Sequence, residues 1–325
     1  MSDEFRSFNV TVGGERLDLA LLDYFSDETE LSSLSRSQLK NWIEAGRVTL
    51  DQKKVLKAGT ILKDNQVVTI NVPVMNLSEP KPLAIPLDIL YEDDDLLAIN
   101  KQAGLSMHPG AGPQVPTLLN GLCHYFQGRH LPPRSGIVHR LDKDTTGVVL
   151  VAKNVEMQTA LVALFAERRI KKTYAALVFT TPRAKRPVQI EDSGEVITRM
   201  GRHPKNWRKM AVLPDGGKEA ITSWQRLESL AYATLLDVVL KTGRTHQIRV
   251  HMDYLNSPLI GDRLYGDTSG LPLELKRAAD RFGRQALHAK KVEFEHPLTH
   301  KPLLIEAQLP TDFEDLLTTF RSFSP

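Results

Sequence analysis

The chain has 325 residues, of which 41% are hydrophobic and 25% charged, a composition typical of a folded protein of about two domains. The net charge of +3 is too small to identify a partner, and the single cysteine, Cys123, excludes an intrachain disulfide and zinc sites built from paired cysteines. No apolar run reaches the roughly 18 residues of a membrane span, and the polar, acidic N-terminus does not resemble a signal peptide, so we expect a cytoplasmic protein without a membrane partner.

The N-terminal residues predict a small unit of two helices followed by a β-ribbon. Apolar residues recur at helical spacing over residues 17–25. Residues 35–38, Ser-Arg-Ser-Gln, form a capping-box pattern that opens a second helix. Alternating β-branched residues at 48–50 and 67–72 predict the strands of the ribbon. We place this unit at residues 15–72.

Four prolines within residues 73–86 predict an extended linker, and residues 87–325 predict a larger second domain. Strands are expected at 96–100, 148–153, 173–179, 219–228 and 232–240, and helices at 117–126, 154–165 and 244–254. Asp215–Gly217 indicates a hairpin turn, and Thr311–Glu314 has the pattern of a capping box before a C-terminal helix. The expected fold class is α+β, with a largely antiparallel mixed sheet and flanking helices in the larger domain.

Basic residues cluster in three segments, at 36–57, 199–209 and 276–284. Local basic faces suit an anionic partner, although solvated loops and helix faces would produce the same clusters. The candidates for contacts with a phosphate backbone are Arg36, Lys40, Lys53, Lys54, Lys57, Arg202, Lys205 and Arg208.

Three segments, His139–Gly147, Lys171–Ala176 and Thr242–His251, concentrate charged and hydroxyl side chains next to predicted strands or helices. A charged, glycine-containing loop between apolar strands is a typical place for a functional site on a rigid scaffold. Asp142 lies among basic residues of such a loop. Nearby cations keep a carboxylate ionised, so that it can act as a nucleophile or base. An aspartate in an ordinary ion pair would give the same pattern.

Other chemistries fit these residues less well. The histidines and the aspartate of the segments lack the spacing of a compact metal-ligand motif, so no metal site is predicted. The residues considered as ligands are His139, Asp142, His246 and His251. The sequence has no nucleophile elbow, and the glycine turn at His108–Gly112 lacks the lysine of a phosphate-binding loop.

Taken in order, the three segments resemble the motifs of the RluA-type pseudouridine synthases. The first contains His-Arg-Leu-Asp-x-x-Thr-x-Gly, the second Lys172-x-Tyr174-x-Ala176, and the third runs from Gly243 to His251. The resemblance spans about residues 85–310. The leading unit is similar to the RNA-binding domain named after ribosomal protein S-four, with Asp-Gln in the ribbon where that family usually has Asn-Gly.

The resemblance implies an isomerase that converts uridine in RNA to pseudouridine. The glycosidic bond is cut, the uracil turns while held, and carbon 5 is joined to the ribose, with no metal or organic cofactor. The domain combination is most similar to the branch of the family that acts on large-subunit ribosomal RNA. We therefore expect ribosomal RNA under assembly as the partner and no obligate protein partner. The alternative is a non-catalytic RNA-binding or ribosome-assembly factor on the same scaffold.

By motif position, the resemblance makes Asp142 the essential carboxylate, which either attacks covalently or removes a sugar proton. Arg249 would pair with it, since a fixed guanidinium suits a carboxylate geometrically. Tyr174 and Ile248 would lie on either side of the uracil. Arg140 would enter the gap that the flipped uridine leaves. The other expected substrate-binding residues of the motifs are His139, Arg244 and His246.

Overall fold

The computed structural model describes residues 5–12, 16–27, 36–64, 66–73, 81–109, 115–127, 132–180, 190–206, 208–266 and 270–323. Contacts within the chain divide it into two compact units. The smaller unit ends at Lys81 and also includes residues 108–115, and the larger unit contains the rest of the chain from Pro82 onward. No helix in these ranges is long and apolar enough to cross a membrane.

The smaller unit combines two helices with an antiparallel four-stranded sheet. Its elements are β1 (Phe5–Val12), α1 (Leu17–Asp27), α2 (Arg36–Glu44), β2 (Val48–Leu50), β3 (Lys53–Lys54) and β4 (Gln66–Pro73), with the strand order β1-β4-β2-β3. The core contains Leu21, Phe25, Ile43 and Ile70. The predicted helices and ribbon are confirmed, while Ser35 of the predicted capping box lies outside the described residues.

Strand β1 is an addition to the predicted unit. It pairs with β4 along its whole length, from Phe5 opposite Pro73 to Val12 opposite Gln66. The ring of Phe8 packs edge-on against Phe25 of α1, with 5.4 Å between the ring centroids. The unit therefore begins before residue 15, because β1 completes its sheet.

The ribbon turn forms with Asp51 and Gln52 at its centre. Both residues have positive φ, 46° and 69°, the backbone handedness that two-residue hairpin loops require. The Asp51 carboxylate accepts hydrogen bonds from the Val67 backbone N–H at 3.1 Å and the Gln66 side chain at 2.9 Å. These contacts tie the turn to β4 and compensate for the absence of a glycine.

The larger unit is built on one extended sheet. Its elements are β5 (Asp88–Glu92), β6 (Leu96–Lys101), α3 (Leu118–Tyr125), a 3-10 helix (Pro133–Gly136), β7 (Thr146–Ala152), α4 (Val155–Ala166), β8 (Lys171–Phe179), β9 (Ser193–Arg202), β10 (Met210–Val212), β11 (Lys218–Leu230), β12 (Ala233–Leu240), α5 (Gln247–Tyr254), α6 (Leu273–Phe282), β13 (Leu287–Glu295), β14 (Pro302–Glu306) and α7 (Thr311–Ser322). The strand order is β10-β9-β11-β12-β8-β13-β7-β6-β5, and β14 pairs with β13. Only the pairing of β13 with β7 is parallel among these described strands. The predicted α+β class is confirmed.

The central strand β8 separates two hydrophobic clusters, because successive side chains of a strand point to opposite faces. Tyr174 and Val178 join the cluster that also contains Leu141 and Ile248. Leu177 and Phe179 join the cluster on the other face, beneath α6 and α7. The face that carries Tyr174 is therefore the one on which the three sequence motifs meet.

Three local predictions are wrong. Asp215–Gly217 does not close a hairpin, because the strands that it joins, β10 and β11, lie on opposite sides of β9. Thr311 is the first residue of α7 and does not cap it; the cap position is Pro310, without a side-chain hydrogen bond. Helix α5 begins at Gln247 and not at residue 244, because His246 has the left-handed φ of 57°.

The predicted linker at residues 73–86 is packed at its C-terminal end. The Leu83 backbone N–H donates to the carbonyl of Asn120 at 3.1 Å, and Ile85 and Leu87 pack against the cluster that contains Tyr174. Residues 74–80 of the linker and residues 110–112 of the glycine turn lie outside the described residues.

Candidate active site

The loop that carries Asp142 precedes β7 and is fixed by buried donors. Lys101, 1% exposed, ends β6 and donates from Nζ to three backbone carbonyls at 2.9 Å, including that of Lys143. Arg284 donates to the carbonyl of Asp144 at 3.2 Å. Gly147 has a φ of +111°, and a Cβ there would lie 2.2 Å from a backbone oxygen of β13. The loop therefore has little freedom to change its path.

The Asp142 carboxylate is 18% exposed and has two partners from the α5 region. Arg249 donates from Nη1 to Oδ2 at 3.0 Å, and His246 Nε2 lies 4.0 Å from Oδ1. Burial acts to raise the pKa of Asp142, but the positive charges of His246 in its protonated form, of Arg249 and of Arg140 lower that pKa by more. Since burial also lowers the pKa of His246, the imidazole is uncharged at neutral pH, and Arg249 is the permanent counter-charge of an ionised Asp142.

Arg249 is held from behind by Asp262, whose side chain is fully buried. Its Nε and Nη2 donate to the two Asp262 oxygens at 2.7 and 2.9 Å, a bidentate geometry that fixes the guanidinium plane. The Asp262 carboxylate also accepts the backbone N–H groups of Leu264 and Tyr265, at 2.9 and 3.1 Å. The two carboxylates raise the pKa of Arg249 despite its burial, so the charge is constant.

Tyr265 connects the same network to His246. Its hydroxyl lies 2.9 Å from His246 Nδ1 and accepts the Met210 backbone N–H at 2.7 Å. The Tyr265 ring lies against the guanidinium of Arg249, 5.1 Å from its carbon to the ring centroid. Asp262 and Tyr265 thus fix the two groups that face Asp142.

Tyr174 and Ile248 provide an aromatic and an aliphatic wall at this site. Tyr174 is 6% exposed and Ile248 3% exposed, and both belong to the hydrophobic cluster that contains Leu141. Burial, followed by the negative charge of Asp142, raises the pKa of the Tyr174 phenol. The hydroxyl therefore keeps its proton at neutral pH and can donate a hydrogen bond.

The remaining motif residues differ in accessibility. Arg140 is exposed and makes no hydrogen bond or ion pair with the other described residues. His139 accepts the Leu150 backbone N–H at 2.8 Å, and its ring lies 5.0 Å from that of Phe165. Burial, and secondarily Lys172, lowers the pKa of His139 to about 3. These contacts hold the His139 ring in the fold, and its substrate contact stays a prediction. Arg244 donates to the Glu219 carbonyl at 3.0 Å, next to the start of α5.

The predicted phosphate contacts are divided between the two units. Lys53, Lys54 and Lys57 are exposed on and beside the ribbon of the smaller unit. Lys40 is exposed and pairs with Glu44 at 3.6 Å, and the side chain of Arg36 lies outside the described part of the chain. On the larger unit, Arg202 is half-buried, whereas Lys205 and Arg208 are exposed.

The four residues considered as metal ligands do not form one site. Both ring nitrogens of His251 lie beside threonine hydroxyls, at 2.8 and 2.9 Å. Within the described ranges, the group with ligand-like spacing is Asp93, Asp95 and His296. His296 Nδ1 accepts two backbone N–H groups, so the ring proton is on Nε2, which faces Asp93 Oδ2 at 3.3 Å. Nε2 makes no hydrogen bond with the described groups, so the cluster is a close approach of the buried His296 ring to the Asp93 carboxylate.

Comparison of this chain with known proteins identifies its family. A model of the RNA pseudouridylate synthase family matches residues 95–254, and one of the S4 domain matches residues 31–68. The ribosomal large subunit pseudouridine synthase D of Vibrio vulnificus is 40% identical over 312 residues, covering 95% of this chain and 91% of the relative. The protein of the same name from Yersinia pestis is 41% identical, covering 95% and 92%. This chain belongs to the RNA pseudouridylate synthase family.

Solved structures agree with this assignment at the level of the fold. Human RNA pseudouridylate synthase domain containing 1 is 25% identical, with a TM-score of 0.53, and the match covers 74% of this chain and 97% of that one. Human RNA pseudouridylate synthase domain containing 4 shares the fold, with 24% identity, a TM-score of 0.56 and coverage of 72% and 93%. The family and the S4 domain inferred from the sequence motifs are confirmed.

Asp262, Tyr265 and Lys101 are the functional candidates that the sequence motifs missed. Asp262 and Lys101 carry a usable signal, because a charged residue next to an apolar segment is rarely buried without a partner. Asp262 follows Leu-Ile-Gly, and Lys101 ends the apolar strand β6. The partners of these residues could not be predicted, because several of them come from segments distant in sequence.

Proposed function

We propose that this RNA pseudouridine synthase modifies uridines in large-subunit ribosomal RNA and that Asp142 is its reactive carboxylate. The role of Asp142 is supported by the hydrogen bond that it accepts from Arg249, in a site where Asp262 fixes Arg249. The target is supported by the names of relatives that match 95% of the chain.

The reaction requires a carboxylate that is charged, oriented and shielded from water. Breaking the bond between N1 and C1′ leaves a free uracil that must turn before carbon 5 bonds to C1′ and loses its proton. Asp142 can begin this sequence by attacking the sugar or by removing a sugar proton, and both routes need it ionised. Arg249 meets that requirement, because its charge is permanent and its plane is fixed.

Tyr174 and Ile248 would hold the detached uracil. An aromatic face and an aliphatic side chain give contact area without fixing the base in one rotational orientation, so the ring can turn between them. Because the Tyr174 phenol is protonated at neutral pH, it can donate to a uracil oxygen or assist the last proton transfer through an intervening group. Exclusion of water by these buried walls would protect the intermediate from hydrolysis.

Arg140 is proposed to stabilise the flipped state of the uridine. Its side chain is exposed in the loop of Asp142 and makes no hydrogen bond or ion pair with the other described residues. Extruding a base from folded RNA costs a few kcal/mol, and a guanidinium that stacks in the vacated position offsets part of that cost.

The S4 unit is proposed to supply RNA affinity apart from the chemistry. Lys53, Lys54 and Lys57 lie exposed at the ribbon, where phosphate contacts would add affinity but little sequence information. We infer an RNA-binding domain at 15–72, extended by β1, and a catalytic domain at 87–325. We also infer action in the cytoplasm, on ribosomal RNA under assembly, without an obligate protein partner.

A pseudouridine map of ribosomal RNA from cells that lack this protein tests the proposal. We expect specific uridines of the large-subunit RNA to stay unmodified, and the wild-type gene, but not its Asp142→Asn form, to restore them. If all pseudouridines persist, or the lost ones lie in transfer RNA, the proposed target is wrong. Restoration of the modifications by the Asp142→Asn form would contradict the assignment of the carboxylate. A non-catalytic assembly factor would leave the map unchanged and alter only ribosome assembly.

A further inference from the structure

Lys172 lies at the edge of the proposed active site, on the same face of β8 as Tyr174. They are two positions apart, which is roughly 7 Å along a strand. The Lys172 ammonium is 5.3 Å from the ring centroid of Phe165. A Cβ placed on Gly243 would lie 3.6 Å from Nζ. The ammonium is therefore close to the loop that leads into α5, and its charge acts on His139 of the Asp142 loop.

No carboxylate in the described part of the chain lies within 4.0 Å of this ammonium, and no hydrogen bond to a described group satisfies it. Three other lysines of the larger unit, by contrast, have partners for their ammonium groups. Lys171, its neighbour on the strand, pairs with Glu293 at 3.0 Å, and Lys290 pairs with Asp237 at 3.1 Å. Lys101 is satisfied by three carbonyls.

An unpaired, half-buried ammonium lowers the stability of a fold, and the contact with one aromatic ring offsets only part of that loss. Burial lowers the pKa of Lys172 to about 8, consistent with a charge that lacks compensation. The facing titratable group, His139, is uncharged at neutral pH and supplies no counter-charge. Residues that break a local stability rule are typical of functional positions.

We propose that Lys172 binds a backbone phosphate of the substrate RNA next to the flipped uridine, an inference that rests on the proposed function. No carbonyl or carboxylate of the described residues satisfies this ammonium as carbonyls satisfy Lys101, and an anion is the partner that compensates its charge best. RNA brings phosphate anions into this site. Arg249 is not available for this role, since two carboxylates already occupy its guanidinium. The ring of Phe165 lowers the local dielectric, which strengthens an ion pair formed there.

The first test measures binding to a transcribed stem-loop of large-subunit ribosomal RNA with a uridine in its loop. Full-length protein in the Asp142→Asn background is used, so that no turnover occurs. Lys172→Met should raise the Kd about 10-fold at low salt and reduce the slope of log K against log salt by roughly 0.7 to 0.9, the share of one phosphate contact. Lys172→Arg should bind nearly as well as the parent.

Lys171→Met is the matched control, because it removes a lysine from the same strand that already has a carboxylate partner. We expect its Kd to stay within about twofold of the parent. The melting temperature gives a second readout. Lys172→Met should melt at the same temperature as the parent or higher, since it removes an uncompensated charge, whereas a structural lysine would give a lower melting temperature.

The pH dependence gives a third readout between pH 7 and 9. The free ammonium loses its proton around pH 8, so RNA binding must restore the proton above that pH, and the parent affinity should fall. Lys172→Arg keeps its charge and should bind with a flatter profile. His139 and Tyr174 do not titrate in this range, because their pKa values are shifted away from it.

Equal Kd and salt slope for Lys172→Met and the parent would overturn the proposal, as would a loss of melting temperature that accounts for weaker binding. A separate measurement tests the proposed function. If the function is wrong, protein with an intact Asp142 leaves the uridines of the stem-loop unconverted, while the binding comparison of Lys172→Met with Lys171→Met still reports on Lys172.

Discussion

Asp262→Asn is the substitution that most sharply tests how the site is held together. The Asp262 carboxylate accepts two hydrogen bonds from Arg249 and two from the backbone, at 2.7 to 3.1 Å, and its side chain is fully buried. An amide has the same shape but turns an NH2 group toward one of these donors. Breaking a buried ion pair from one side costs about 3–5 kcal/mol, which is the expected loss in free energy of unfolding.

The same change should slow the chemical step about 100-fold, because a displacement on the order of 1 Å in a positioned group has that effect. Arg249 would keep Asp142 as its partner but lose the fixed plane of its guanidinium. The assay is single-turnover formation of pseudouridine at saturating enzyme, with RNA affinity measured separately. We expect affinity to change less than about threefold, since the fully buried Asp262 side chain has no surface to offer the RNA.

Glu228→Gln provides the control for losing a bidentate arginine partner. Glu228 and Arg321 form such a pair at 2.6 Å, but on the surface, where ion pairs contribute about 0–1 kcal/mol. This variant should turn over at the wild-type rate. In an Arg249→Met background, adding Asp262→Asn should slow the reaction no further. A near-normal rate for Asp262→Asn, or a further large loss in the Arg249→Met background, would refute the view that Asp262 acts through Arg249.

Three further outcomes follow from the structure. Replacing Lys53, Lys54 and Lys57 together by alanine should weaken RNA binding and flatten its salt dependence, with the single-turnover rate at saturating enzyme unchanged; a slower chemical step would contradict a pure binding role. Arg140→Ala should slow reaction on a structured RNA more than on an unstructured oligonucleotide, and equal losses on both would remove Arg140 from base flipping. Because burial lowers the pKa of His251 to about 4, the unfolded chain takes up the proton first, and stability should fall as the pH drops from 6.5 to 4 by up to about 1.4 kcal/mol per unit. Urea unfolding of His251→Gln should show a flatter decline, and an unchanged slope would contradict this.

The sequence predicted the α+β class and the order of most elements because those features depend on local patterns. The strands at 173–179 and 232–240 and the helix after Asn154 recur in the structure with small shifts. The Asp215–Gly217 pattern indicates a hairpin wrongly, because a turn signal specifies a change of direction but not the strand that will pair. The parallel contact of β13 with β7 is likewise a pairing between distant segments.

The residues of the candidate site also divide into those that local sequence predicts and those that it does not. Asp142, Tyr174 and Arg249 lie in motifs that can be recognised one by one. The pairing of Asp142 with Arg249 spans 107 residues, and its prediction depends on the family resemblance. Asp262 lies outside those motifs. Its role depends on a partner from α5 and on backbone donors from its own turn, neither of which its local sequence specifies.

The reactivity of Asp142 is central to the proposed function, and single-turnover conversion of uridine by Asp142→Asn measures it. Asp144→Asn is the matched control, two residues along the same loop. We predict no detectable pseudouridine from Asp142→Asn, with RNA affinity and unfolding free energy close to wild type because Arg249 keeps its bidentate partner Asp262. Asp144→Asn should remain active. Near-wild-type turnover by a verified Asp142→Asn protein would contradict the account.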